Sequence, residues 1–95
     1  MIRIRWTRRA RTHLDDIGHH IAEHHPAAAG RVVERIVALV SHLSEQPQIG
    51  RLGRVAGTRE LVVPDFPYII AYRLHARDVE VLAVFHALRR WPNKL

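Results

Sequence analysis

Ninety-five residues with 47% hydrophobic content, 5 glycines and 5 prolines describe a single ordered globular domain over residues 1–95, large enough to bury roughly 60 to 65% of its unfolded surface. Cysteine is absent, which excludes a disulfide framework and a thiolate metal site and makes the cytoplasm the expected compartment. The opening MIRIRWTRRA has no apolar core and no window approaches the ~18 apolar residues of a membrane span, so neither a secretion signal nor a membrane anchor is expected.

Fifteen Lys+Arg against nine Asp+Glu leave a formal net charge of +6, and every cation except Lys94 is arginine. The planar guanidinium suits phosphate and carboxylate alike, so the charge admits two partner classes, nucleic acid and acidic protein segments, without choosing between them.

In chain order, Met1 to Trp6 alternates Ile2, Ile4 and Trp6 with Arg3 and Arg5, the period of a half-buried strand. Thr7 is placed to cap a helix over about residues 8 to 24, whose apolar stripe is Ala10, Leu14, Ile17 and Ile21. His25-Pro26 closes that helix, and Pro26 suits the first turn of a second. The second helix carries Ala29, Val32, Val33, Ile36, Leu39, Val40 and Leu43 on one face until Pro47 and Gly50 end it. So short a turn makes the two helices antiparallel.

Gln48 to Gly57 has three glycines and no period and reads as a loop. Strands are expected over Thr58 to Val63, Tyr68 to Leu74 and Val79 to His86, with short loops that make them antiparallel neighbours. The expected architecture is α+β, in the order β-α-α-β-β-β, with a helical hairpin packed on one face of a small, mainly antiparallel sheet.

A four-residue last loop sets Leu74 opposite Val79 and Arg73 opposite Glu80 as an ion pair. Strict alternation then gives one face Tyr68, Ile70, Tyr72, Val79, Val81, Ala83 and Phe85, expected beneath the helices. The other face receives Ile69, Ala71, Leu82, Val84 and His86, and reads as an exposed apolar groove suited to a partner.

Three sets of polar residues carry candidate chemistry. Asp16, His20 and His24 share a helix face and could approach a metal, but no HExxH pattern accompanies them and such residues commonly sit on a solvated helix face, so no metal or other cofactor is expected. Arg8, Arg9 and Arg11 oppose the helix dipole in the first turn, as a partner-selected basic patch or simple arginine richness would produce. The ending His86, Arg89, Arg90 and Trp91 could join an acid/base imidazole to phosphate-holding arginines, or could be a strand end whose histidine satisfies a backbone group.

QPQIGR after the second helix, then TRELVV, PYIIAYRL and VEVLAVFHALRRWP, in that order, resemble the RelE/ParE superfamily of bacterial toxin–antitoxin toxins over nearly the whole chain. The resemblance implies the fold above, a cognate antitoxin as partner, and operator DNA reached only through that antitoxin. It also implies one of two targets. RelE-type members cut mRNA on the ribosome with basic residues of the open sheet face and often a C-terminal tyrosine or histidine, whereas ParE-type members poison DNA gyrase.

Nucleases of this kind carry an arginine just after the tyrosine that begins the third strand, and here that position is Ile69. No tyrosine follows His86, and Arg59 is the lone cation of its strand, while VLAVFHALRR is similar to the ParE-type ending. The resemblance therefore favours a gyrase-poisoning toxin without catalytic residues, contacting its target through Arg89, Arg90 and Trp91 and its antitoxin through Ile69, Ala71, Leu82 and Val84. Its rivals are a ribosome-dependent mRNA endonuclease using Arg59, Arg73, His86, Arg89 and Arg90, and a non-toxic antitoxin-binding module or co-repressor.

Overall fold

The computed structural model of the chain describes residues 1–88. Arg89, Arg90 and Trp91 therefore lie outside the described residues. Seven elements follow in order: β1 (Arg3–Trp6), α1 (Arg8–Ala22), α2 (Pro26–His42), β2 (Arg51–Leu52), β3 (Arg59–Val62), β4 (Tyr68–Leu74) and β5 (Asp78–His86). The strands form one five-stranded sheet in the order β1-β5-β4-β3-β2. β1 runs parallel to β5 and all other neighbours are antiparallel.

Thr7 joins the first strand to the first helix and ties both to the sheet. Its Oγ1 accepts the Ala10 N–H at 3.1 Å as the cap of α1 and lies 2.9 Å from the Val81 carbonyl, to which it donates. Its backbone N–H donates to the same carbonyl at 3.1 Å. α1 thus starts where β1 stops, beside the middle of β5. Pro26 occupies the first turn of α2, and Gly18 lets the helices approach closely, since a Cβ there would stand 3.3 Å from Val33 Cγ2.

The helical hairpin covers one face. Val32, Ile36 and Val40 of α2 pack with Tyr68, Ile70, Val81 and Val84 of the sheet, joined by Ile4, Trp6, Leu14 and Ile17. Leu43, Tyr72 and Val79 extend the core towards the other end of the strands. Each fully buried aliphatic side chain here contributes on the order of 1.5 to 3 kcal/mol.

The sheet departs from strict alternation at one residue. Leu74 faces Val79 and Arg73 faces Glu80, as expected, but Tyr72 pairs with Val81 while Ala71 pairs with Ala83. Leu82 is an unmatched residue, a β-bulge that turns the rest of β5 over. Beyond it Val84 lies opposite Ile70 and His86 opposite Tyr68, on the helix side, whereas Ala83 and Phe85 lie opposite Ala71 and Ile69. The expected faces are therefore exchanged after Leu82.

The expected exposed groove is corrected with them. Ile69, Ala71, Leu82 and Val84 retain only 4%, 0%, 7% and 2% of their accessible surface, and Val84 belongs to the helix-side core. Ala71 and Ala83, facing each other on the central strands, keep none of their accessible surface.

The segment expected as a plain loop contains β2, whose Arg51 and Leu52 pair with Glu60 and Arg59. α1 ends at Ala22, two residues before the expected boundary, with Glu23 as its C-cap.

Candidate functional site

Three regions hold the polar residues that could carry function. The first is the loop from Pro47 to Thr58. Buried Tyr72 organises it: Gly50 N–H donates to the phenol oxygen at 2.9 Å and the phenol donates to the Pro47 carbonyl at 2.8 Å. Burial raises the Tyr72 pKa above its ordinary value, so the phenol keeps its proton. Arg59 donates through Nη1 to the carbonyls of Gly50 at 2.8 Å and Gln48 at 3.2 Å. Glu60, 3% exposed, accepts from Arg51 Nε at 3.2 Å and Nη2 at 3.1 Å, and from the Arg54 N–H at 2.9 Å. This network was not legible as a unit in the sequence, because its members come from the loop and two strands.

At the β1 end of the open face, Glu80 accepts from Arg5 Nη1 at 3.1 Å and lies 3.0 Å from His75 Nε2. Arg5 also lies 3.7 Å from Asp78. The expected Arg73–Glu80 ion pair is corrected on this point: the register is right, but the carboxylate turns to β1 and to the hairpin. The His75 hydrogen bond, chiefly, and Arg5 hold the Glu80 pKa below its ordinary value.

The third region is a cleft of about 450 Å³ between α1 and the far end of β5. His86 stands there edge-on to Tyr68, with ring centroids 5.6 Å apart and planes at 81°. Its Nδ1 accepts the Leu88 N–H at 3.1 Å. His13 and His20 of α1 line the same cleft, with Asp16 between them in sequence. His13 Nδ1 accepts the Val84 N–H at 3.1 Å, and burial, then the positive charge of Arg9, lower the His13 pKa while Asp16 raises it. Nothing in the sequence marked His13, since it depends on the bulge that aims the Val84 N–H at α1. Among the described residues, no group of three or more His, Asp or Glu side chains is arranged to hold a metal ion.

The nuclease candidates within the described residues do not converge. His86 pairs with Tyr68 at one end of β4, whereas Arg59 pairs with Tyr72 and Arg73 follows it at the other. Four to five residues of strand separate them, roughly 14 to 17 Å at ~3.4 Å per residue. A general acid and a phosphate-binding arginine must both reach one phosphodiester within hydrogen-bond distance. The guanidinium of Arg59 is moreover turned onto loop carbonyls.

A helical hairpin on one face of a five-stranded mixed sheet, with β1 parallel to β5, is the α+β architecture of a RelE/ParE superfamily toxin of a toxin–antitoxin module. A chain of the chromosomal ParDE TA system from P. aeruginosa superposes with a TM-score of 0.83 at 28% identity, covering 90% of this chain and 96% of that one. Y4kP of Sinorhizobium fredii is 55% identical over 93 residues, 98% of this chain and 96% of that protein. Toxin RelE2 of Caulobacter vibrioides is 37% identical over 89 residues, 94% of this chain and 99% of its own length. Residues 4–91 match the family described as ParE toxin of type II toxin-antitoxin system, parDE, and the chain belongs to that family. It is a type II toxin, a class that pairs with a cognate antitoxin. No helix among the described residues is long and apolar enough to cross a membrane.

Proposed function

We propose that this chain arrests growth by binding and poisoning DNA gyrase in the cytoplasm, without a catalytic residue of its own. The observation that carries the reading is the separation of His86 from Arg59 and Arg73, which leaves the described chain without an assembled acid/base and phosphate site. Ile69, where an mRNA-cleaving relative would carry arginine, is paired with Phe85 on the open face. Membership of the ParE family and the likeness to a ParDE chain support the same target.

The antitoxin is proposed to lay an acidic and apolar segment over the open face, above the buried Ile69 and Ala71 and beside the bulged Leu82, with Val62 as an exposed contact at 47%. Val84, on the helix side, is not part of that surface. Operator DNA would be reached through the antitoxin alone, and Arg89, Arg90 and Trp91 remain contact candidates for the target.

A supercoiling and DNA-cleavage assay with purified gyrase, using the chain freed of its antitoxin, tests the proposal. Inhibition with trapped cleavage complexes is the expected result. Unimpaired gyrase together with mRNA cleavage on ribosomes, abolished by His86→Ala, would replace it with the nuclease reading. Folded protein harmless in both assays and in cells would leave a co-repressor.

A further inference from the structure

The cleft between α1 and β5 has donors, an acceptor and rings in an arrangement that the gyrase reading does not use. β1 ends at Trp6, opposite Val81, so beyond that point this edge of β5 has no neighbouring strand among the described residues. His13 takes the place of one by accepting the Val84 N–H at 3.1 Å. An imidazole that accepts at Nδ1 carries its proton on Nε2 when neutral. His86, accepting the Leu88 N–H at 3.1 Å, is held in the same tautomer. Two imidazole Nε2–H donors, one from α1 and one from β5, thus belong to one cleft with their other nitrogens already committed.

Asp16, one helical turn from both His13 and His20, adds an acceptor at the rim. Ile17 and Val84 supply aliphatic lining, and Tyr68 and His86 supply rings. A carboxylate or phosphate lodged inside would meet the Asp16 charge, and a purely apolar group would strand both N–H donors. The matching ligand is flat and uncharged, with acceptors on one edge and donors on the adjacent one. A cleft of about 450 Å³ accommodates one such ring system. Arg9, close enough to His13 to act on its charge, and the net charge of +6 favour a ligand whose phosphate stays outside.

We propose that this cleft is a nucleobase site that takes one unpaired base of a nucleic acid strand between α1 and β5. Guanine fits best: its O6 and N7 offer two acceptors to the two imidazole N–H groups, and its N1–H and N2–H offer donors to Asp16. The assignment does not depend on which macromolecule the toxin inhibits.

The test is a titration of the full chain, freed of antitoxin, with guanosine 5′-monophosphate, adenosine 5′-monophosphate and inorganic phosphate, followed by NMR of the histidine rings and backbone amides near pH 7.5. The guanosine nucleotide is expected to shift the His13 and His86 ring signals and the Val84 amide, and to bind about tenfold more tightly than the adenosine nucleotide, the discrimination of one bidentate contact. Asp16→Ala, at an exposed position, is expected to abolish that preference. Equal shifts with inorganic phosphate would make this an anion site and overturn the proposal. Silence towards both nucleotides would overturn it too, as would an acidic peptide shifting signals that the nucleotides leave unmoved.

Discussion

His13 Nδ1 accepts the Val84 N–H at 3.1 Å, joining residues 71 positions apart and sealing β5 where β1 has already ended. The bond requires the neutral ring, and burial together with Arg9 lowers the His13 pKa below its ordinary 6.5. Below that value the unfolded chain takes up a proton that the folded chain resists. The stability from this group is complete above about pH 6.5, falls as the pH drops below it, and levels off beneath the folded-state pKa. Urea unfolding near pH 7.5 and 5.5 should therefore show a larger acid loss in the natural chain than in His13→Gln. Equal losses would show that the bond does not couple folding to this proton.

Tyr72 ties the loop to the sheet through two hydrogen bonds, from Gly50 N–H and to the Pro47 carbonyl. Tyr72→Phe leaves both backbone groups seeking partners in a buried place, at a cost of about 1 to 3 kcal/mol. Gly50→Ala is expected to cost at least as much, because a Cβ would stand 2.7 Å from the phenol oxygen and 2.9 Å from the Glu60 carbonyl. Since the two changes strike one contact, their sum should exceed the loss in the double variant, and thermal melts of the three proteins would show it. Strict additivity would mean that the phenol does not hold the loop.

Glu60 is buried with its charge met by Arg51 and the Arg54 N–H. Arg51→Ala removes the guanidinium fork from the carboxylate while the Arg54 N–H stays, and because Arg51 itself is largely exposed, water offsets part of the loss. A destabilisation of about 1 to 3 kcal/mol follows, short of a fully buried pair. Arg51→Lys, which keeps the charge but not the fork, should recover part of it. Denaturant midpoints unmoved by either change would refute this role.

Local chemistry in the sequence was enough for the Thr7 cap, the Pro26 helix start, and the Leu74–Val79 and Arg73–Glu80 register, because each depends on residues a few positions apart. The bulge at Leu82 was not legible. Val81 to Phe85 is apolar throughout, and an inserted residue leaves no mark on a pattern that does not alternate. From that slip came the misplaced faces and the unforeseen placement of His86 and His13 in one cleft. β2 escaped notice because two residues have no period, and Glu80 chose Arg5 because the parallel pairing of β1 with β5 joins the two ends of the chain.

Val62 lies opposite Ile69 on the open face and keeps 47% of its surface exposed at the end of β3, so a charge there can be tolerated by the fold. If the antitoxin covers this face with an acidic and apolar segment, Val62→Asp both removes an apolar contact and sets like charges against each other. The expected result is a weakening of antitoxin binding by about tenfold or more, with the melting temperature of the free chain little changed. Calorimetric titration of the cognate antitoxin into natural and variant chains measures the first, and a thermal melt the second. Val62→Arg, which reverses the sign of the added charge, should lose less than Val62→Asp. Unchanged affinity in both variants would remove the antitoxin from this face.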